Sequence, residues 1–414
     1  MKALVWHGVG NIQLDNVPDP QIEQPGDAVI RITASAICGT DLHFIRGTFS
    51  DMQPGTILGH EAVGIVEQVG DEVRNFSPGD RVVVCSTVSC GVCPPCRAGH
   101  TAQCDNANPN GPEAGTCFFG GPKATGPVNG LQAEKARIPF AANTLVKIPD
   151  DVTDEQAILI SDIFPTAWFG AELADITRGD IVVVFGCGPV GQFAIASALL
   201  MGAARVIAVD SHEDRLAMAR RQGAFPVNFE REDPVEVIKK LTGGTGADCA
   251  IDAVGVDSQH AHHGPASAEA EQKADKFAQE VAQVAPETHP QHGNWIPGDA
   301  PTQALEWAIA GLKKAGRLSI IGVYPPTAET FPIGKAMNKN LTIKMGNCNH
   351  HTHIPYLLEL TRTGAIDPTK VLTNEEPIEN VIEAYKAFDK REPGWIKVAA
   401  YPAPDETGVP DDAR

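Results

Sequence analysis

The run SCGVCPPCRAGHTAQC sets four cysteines, Cys90, Cys93, Cys96 and Cys104, in a C-x2-C-x2-C-x7-C spacing. Four thiolates at that spacing close a tetrahedral shell around one zinc ion. The residues between them are Gly, Pro and small polar types that cannot form a packed core. A lobe over about residues 85–110 therefore needs the metal to hold its shape. Two disulfides, or a lobe that has lost its metal, are the competing explanations, and disulfides do not persist in a reducing compartment. The remaining cysteines, Cys38, Cys85, Cys117, Cys187, Cys249 and Cys348, follow no framework pattern and read as reduced thiols.

At 414 residues a single core would be unusually large, so two domains are expected. Lys plus Arg number 33 against 52 for Asp plus Glu, a net charge of −19. That balance repels phosphate backbones and anionic lipid surfaces, which argues against nucleic acid or membrane as a partner. The opening MKALVWHGVGNIQLD lacks an apolar core of signal-peptide length, and no later segment approaches a span of about twenty apolar residues. A cytoplasmic enzyme with a small-molecule substrate is the expectation.

The first 150 residues carry short β-rich runs, DAVIRITASAIC, EAVGIVEQVG and DRVVVC, punctuated by Gly and Pro, and imply an irregular β domain. From about Asp150 the texture changes. DEQAILISDIFPTAWFGAELA has helical spacing, IVVVFG is a buried strand and PVGQFAIASALLMGA a helix. Strand and helix then alternate through RVIAVD, EDRLAMARRQG, ADCAIDAVG, TQALEWAIAGLKKAG and RLSIIGVY, the pattern of an α/β doubly wound parallel sheet. Helical YLLELTRTG and IENVIEAYKAFDK and a strand IKVAAYP follow and are expected to return to the first domain. From about Pro402 the chain reads as a solvated tail.

Gly186, Gly188 and Gly191 form G-x-G-x-x-G between that strand and helix, with Pro189 and Val190 inside the motif. The first Gly permits a tight turn, the second admits a pyrophosphate and the third lets the helix pack close. The phosphates then face the helix N-terminus, where free N–H groups favour anions. Asp210 ends the next strand at the distance of a ribose-binding carboxylate, with Arg215 beyond it at the same cofactor site; a strand-end or capping role is the alternative for Asp210. A carboxylate there accepts from the ribose 2′-OH and repels a 2′-phosphate, and Ser211 supplies no cation. NAD is therefore expected over NADP.

Cys38 opens CGTDLH and His60 lies in GHEAVG. Singly, Cys38 reads as a buried small hydrophobe and His60 as a satisfied core histidine. Together with the four-cysteine lobe and the nucleotide fold, they make the chain resemble the zinc-dependent medium-chain alcohol dehydrogenases. CGTDLH, GHE, the lobe, the glycine run and the closing GWIKVAA occur in that family's order along nearly the whole chain. The resemblance implies a GroES-like irregular β catalytic domain (1–163), a Rossmann domain (164–346) and a return to the catalytic domain (347–414). It also implies a homo-oligomer, tetramer or dimer.

The family's catalytic zinc takes a Cys, a His and a third donor from the segment leading into the nucleotide domain. Many members use Cys there, whereas LISDIFPTAWFG offers Asp162. This resembles the branch with glutathione-independent formaldehyde dehydrogenase and formaldehyde dismutase. A helix N-cap or surface charge is the alternative for Asp162, against a zinc site's need for a third protein ligand. The resemblance further makes Glu61 a supporting or exchangeable ligand, Thr40 a relay hydroxyl and His43 an outer base linked through the cofactor ribose. On their own, Thr40 reads as a turn hydroxyl and His43 as a solvated imidazole. Pro165, Thr166, Gly255 and Gly322 resemble residues flanking the nicotinamide, and Lys397 a cation near the pyrophosphate.

Between DAVGV and TQALEW lies an insertion, about residues 257–300, much longer than the usual connection. Ala270, Ala274, Phe277, Val281 and Val284 recur at helical spacing within it, predicting a helix with one apolar face. In the formaldehyde dehydrogenase branch an insertion here covers the cofactor; a surface or oligomer-contact excursion is the alternative. His260, His262 and His263, and His350, His351 and His353, lack paired thiolate or carboxylate spacing and read as solvated loop histidines. The NCNHHTH segment departs from the family pattern. The competing functional readings are a general alcohol or polyol dehydrogenase with freely exchanging NAD, and a nucleotide-binding protein that kept the fold and lost the chemistry.

Overall fold

Ile181–Phe185 (β1), with four of its five side chains buried, lies inside a six-stranded parallel sheet in the computed structural model, which describes residues 1–108, 110–111, 115–286 and 293–403. The other strands are β2 (Arg205–Asp210), β3 (Phe225–Asn228), β4 (Ala247–Asp252), β5 (Leu312–Ile320) and β6 (Thr342–Met345). Their spatial order is β3-β2-β1-β4-β5-β6, every neighbouring pair parallel. Strands covered on both faces need unbroken apolar runs, and each fully buried Val, Ile or Phe contributes roughly 1.5–3 kcal/mol. Helices α1 (Pro189–Leu200), α2 (Glu213–Arg221) and α3 (Pro234–Leu241) follow the first three strands in turn. The strand order reverses between β1 and β4, and a sheet of this kind binds ligands at the carboxyl ends there.

This sheet belongs to one of two compact units, formed by Thr166–Pro286 and Ile296–Asn347. The other unit comprises Met1–Pro165, the short stretch ending at Trp295, and the chain from Cys348. Its main sheet runs Asn374–Pro377, Val398–Tyr401, Ala28–Ile37, Ala62–Val69, Arg81–Val84, Leu145–Lys147, with Lys135–Ile138 also paired to Ala28–Ile37. Pairing of Ser35 with Ala62, Ala62 with Val84 and Ile37 with Val398 brings one end of four strands together. Cys38, His60, Glu61, Ser86 and Lys397 all lie just off those ends. The terminal strand thus returns to the first unit, pairing antiparallel with Ala28–Ile37.

Several elements differ from the sequence reading. The helical run from Asp154 breaks into Asp154–Ile158 and Ile163–Leu173, and Asp162 sits in the break. TQALEWAIAGLKKAG is helical only over Gln303–Gly311; LKKAG starts β5, where Ala315 at φ +56° accompanies a register shift. The helix expected from Tyr356 begins at His350 and runs to Arg362. In the insertion, helices Ser267–Gln272 and α4 (Ala274–Val284) form, and α5 is Gln303–Gly311. The buried face is Ala270, Phe277, Glu280 and Val284, whereas Ala274 is exposed and Val281 half-buried. Glu280 is tolerated inside because the Thr302 hydroxyl donates to it and Lys276 Nζ lies 3.4 Å from it; Lys273 and Lys276 also pair with Glu306 on α5. Asn294 and Trp295, later in the insertion, bind Asp389 in the first unit. Residues 287–292 of the insertion and the expected tail from Pro404 lie outside the described residues.

Candidate metal and cofactor sites

The lobe brings the sulfurs of Cys90, Cys93, Cys96 and Cys104 together, all within 4.8 Å of one another. All four are free thiols rather than disulfides, with Cys93 Sγ and Cys104 Sγ 3.8 Å apart. Zinc–sulfur bonds of about 2.3 Å in a tetrahedron give sulfur–sulfur edges of roughly 3.8 Å. Backbone N–H groups of Cys90 and Ala107 donate to Cys104 Sγ, and those of Val92 and Cys93 to Cys90 Sγ, at 3.2–3.4 Å. These donors favour thiolates. The donor set fits one structural zinc.

The second cluster is built on the converging strand ends. Cys38, His60, Glu61 and Asp162 are buried, with ligand atoms within 4.8 Å of one another. Cys38 Sγ and His60 Nε2 each lie 3.5 Å from the same oxygen, Asp162 Oδ2. The other oxygen, Oδ1, accepts from Ser86 Oγ at 2.9 Å and lies 2.8 Å from His350 Nε2. His350 is therefore no solvated loop histidine: it is 1% exposed at the head of its helix. Nor is Asp162 a surface charge. Glu61 Oε2 pairs with Lys397 Nζ, which also donates to Ile37 O at 2.9 Å, whereas Glu61 Oε1 has no partner.

Lys397 is fully buried in this cluster. The strand pairing Ile37–Val398 fixes it there, and its ammonium is committed to the Glu61 carboxylate. Asp41 holds the other flank: Oδ2 accepts from the Cys38 backbone N–H at 3.0 Å, capping helix Gly39–Arg46, while Oδ1 lies 3.0 Å from His60 Nδ1 as a charge contact without hydrogen-bond alignment. Asp41, Ser86 and His350 were not found from sequence. Asp41 had a local signal, its place three residues after an N-cap.

Burial pushes the Cys38 thiol up to about 11, with Asp162 adding to the rise, and burial pushes Glu61 up to about 7 against the pull of Lys397. Burial opposes ionisation of Asp162 too, yet the bonds from His350 and His60 hold it well below the usual carboxylate range. Thiol, imidazole and carboxylate donors facing one point, with an unpartnered buried carboxylate oxygen beside them, fit a divalent zinc ion. Thr40 is half-buried, its hydroxyl 3.9 Å from Cys38 Sγ, and His43, on the same helix, is buried rather than solvated.

In the second unit the glycines behave as their spacing implies. Gly186 has φ +84°, and a Cβ there would meet Val254 at 2.4 Å. A Cβ on Gly191 would lie 1.9 Å from Gly186 O, so only glycine lets α1 pack this close. A Cβ on Gly188, the N-cap of α1 ahead of Pro189 and Val190, would meet only Arg215 Nη1, at 3.8 Å, so this position is open. Asp210 is buried at the end of β2; Oδ2 accepts from Cys187 N and Oδ1 from Ser211 N and His212 N. It thus ties the glycine loop to the next turn as well as presenting charge. Despite its burial, Arg215 and then His212 hold Asp210 below its ordinary value, so a cation does stand near this carboxylate. Gly255 and Gly322 pack backbone to backbone beyond β4 and β5, and Thr166 lies in the first turn of Ile163–Leu173. His260 and His262 meet Asp299.

An irregular β unit carrying two candidate metal clusters, in one chain with a doubly wound parallel sheet, defines a class of zinc-binding dehydrogenases. Residues 24–150 match the alcohol dehydrogenase GroES-like domain and residues 189–261 the zinc-binding dehydrogenase family. The chain belongs to the zinc-dependent medium-chain alcohol dehydrogenase family and is an oxidoreductase of that type. It is 38% identical over 97% of its length, and all of the relative's, to a zinc-type alcohol dehydrogenase-like protein of Bacillus subtilis. A solved structure, alcohol dehydrogenase TADH from Thermus sp. ATN1, is 30% identical with a TM-score of 0.78, covering 97% of this chain and 100% of that one. The glutathione-independent formaldehyde dehydrogenase of Pseudomonas aeruginosa is 36% identical over 64% of this chain and 68% of its own. The family uses zinc and a nicotinamide cofactor. Among the described residues no helix is long and apolar enough to cross a membrane.

Proposed function

We propose that the protein passes hydride between a short alcohol or aldehyde hydrate and NAD. The observation that carries this reading is the convergence of Cys38 Sγ and His60 Nε2, at 3.5 Å each, on one oxygen of Asp162. In this reading Cys38, His60 and Asp162 hold a catalytic zinc, Glu61 is an exchangeable donor, and the four-cysteine lobe holds a structural zinc. Cys38 as thiolate and Asp162 as carboxylate balance the ion's two charges while His60 stays neutral. Bound zinc supplies a Lewis acid that acidifies an alcohol and polarises an aldehyde carbonyl. Thr40 takes the substrate's hydroxyl proton and His43, three residues on along the same helix face, is the outer base. Asp210 accepts from the cofactor ribose, which favours NAD over NADP. The protein acts in the cytoplasm as a homo-oligomer.

An aspartate third donor and the partial likeness to a formaldehyde dehydrogenase support an aldehyde dehydrogenase or dismutase. In that case the insertion slows cofactor release, and NADH formed from one aldehyde hydrate reduces a second aldehyde. Full-length likeness to proteins named as alcohol dehydrogenases supports a general dehydrogenase with exchanging NAD instead.

Native and denaturing mass spectrometry of the purified protein, with an NADH absorbance assay, tests these readings. Two zinc ions are expected in the wild type, with the catalytic ion lost in Cys38→Ser and the lobe ion in Cys93→Ser. A single zinc unaffected by Cys38→Ser overturns the catalytic site. Retained nucleotide with dismutation in the absence of added cofactor supports the aldehyde reading, and nucleotide-free protein with strict NAD dependence the general one.

A further inference from the structure

We propose that His260, His262 and Asp299 form a further metal site, for a late first-row divalent ion such as zinc, across the base of the insertion. The three ligand atoms lie within 4.8 Å of one another. Asp299 Oδ2 is 3.0 Å from His262 Nε2 and 3.6 Å from His260 Nε2. Ligand bonds of about 2.0–2.1 Å in a tetrahedron give edges of roughly 3.3 Å, between those two distances. Imidazole and carboxylate donors suit zinc and its neighbours rather than calcium or magnesium.

The supporting contacts are those a metal-binding histidine needs. A ligating imidazole commits its second ring nitrogen to a carbonyl or carboxylate, which fixes the tautomer and aims the free lone pair. His260 Nδ1 lies 3.0 Å from Ala261 O, and His262 Nδ1 3.2 Å from Glu230 Oε1. Both Nε2 atoms are thereby turned to Asp299 Oδ2. Glu230 also accepts from the backbone N–H groups of His262 and His263, so its position does not depend on the imidazole. The His260 ring is stacked on Phe277 of α4 at 6.1 Å, and Asp299 Oδ1 accepts from His260 N at 3.0 Å. His262 is 49% and Asp299 39% exposed, which leaves an entry path and an open coordination position for water.

The two histidines stand where the insertion begins and Asp299 where it ends. An ion shared between them closes that long loop at its neck, as any clip across a long loop does. This site is independent of the Cys38 cluster.

The test is a cobalt(II) titration of the full-length protein carrying two zinc ions per chain, which fill the lobe and the Cys38 site, followed by native mass spectrometry and visible absorption. Zinc outcompetes cobalt at equal donors, so sites already filled stay filled. One additional cobalt is expected, with weak visible bands and no thiolate-to-cobalt charge-transfer band; cobalt entering an unfilled Cys38 site is recognised by that band. Glu230→Gln keeps the backbone acceptor and should weaken binding about 10–100-fold. His262→Ala and Asp299→Asn should abolish the additional cobalt, while His263→Ala leaves it. Circular dichroism and retention of the lobe zinc confirm that each variant is folded. Absence of the additional cobalt in the wild type, or its persistence with unchanged affinity in both His262→Ala and Asp299→Asn, overturns the site.

Discussion

His350 Nε2 lies 2.8 Å from Asp162 Oδ1, so one oxygen of this carboxylate is anchored while the other is left facing Cys38 and His60. The imidazole sets the rotation of the carboxylate as well as its charge. His350→Ala should therefore leave the fold intact but lower affinity for the catalytic zinc about 10–100-fold, with a parallel fall in kcat/KM at limiting zinc. Zinc competition with a chelator, alongside circular dichroism, measures this. An unchanged affinity means that Ser86 alone positions Asp162.

Asp210 bonds the glycine loop, and in the proposed function it also accepts from the cofactor ribose. A hydrogen bond to a charged group contributes about 1.5–3 kcal/mol, so Asp210→Ala should lower kcat/KM for NAD roughly 10–100-fold and shift the preference toward NADP, loosening of the glycine loop acting on both cofactors alike. Arg215, close to Gly188, makes the discrimination incomplete. Arg215→Ala should widen the wild-type preference for NAD. Comparable kcat/KM for the two cofactors in the wild type removes the ribose role of Asp210.

What could be read in the sequence were features whose cause is local. The lobe spacing, the glycine motif and the apolar runs of β1, β2 and β4 each announce themselves within a few residues. His350 could not be read that way, because its partners Ser86 and Asp162 are 264 and 188 residues distant. Lys397 lies in the closing GWIKVAA run, but its place beside Glu61 is set by the pairing of Ile37 with Val398, which that run does not announce. Glu280 occupies an otherwise apolar helix face because Lys276, one turn earlier, pairs with it and the distant Thr302 hydroxyl donates to it; only the first of these partners lies at helical spacing.

His353 supplies a pH dependence. Burial, and then the neighbouring His350, push it down from 6.5 to about 4. A histidine depressed in the folded state stabilises above the unfolded value and loses that contribution as pH falls toward the folded value. Between pH 7 and 5 the loss should be about 2 kcal/mol. His353→Asn, which carries no proton to gain, should show a shallower decline, read as the difference between the two denaturant midpoints at each pH. Parallel curves exclude this origin for acid sensitivity.

The Lys397–Glu61 pair is fully buried, and such a pair is costly to break on one side. Lys397→Met leaves the carboxylate without its partner and should destabilise the protein by about 3–5 kcal/mol. Glu61 is already raised to about 7 by burial despite the lysine, so removing the cation raises it further. A carboxyl group raised in the folded state destabilises as pH rises. Lowering the pH from 8 to 5 should accordingly restore part of the loss in Lys397→Met. The double variant Lys397→Met/Glu61→Gln should restore most of it at pH 8. Denaturant unfolding with zinc counted in parallel separates this from metal loss. A cation acting on cofactor phosphate predicts otherwise: a higher KM for NAD, little change in stability, and no recovery in the double variant. That result would return Lys397 to the cofactor site and leave Glu61 compensated by a group other than the lysine.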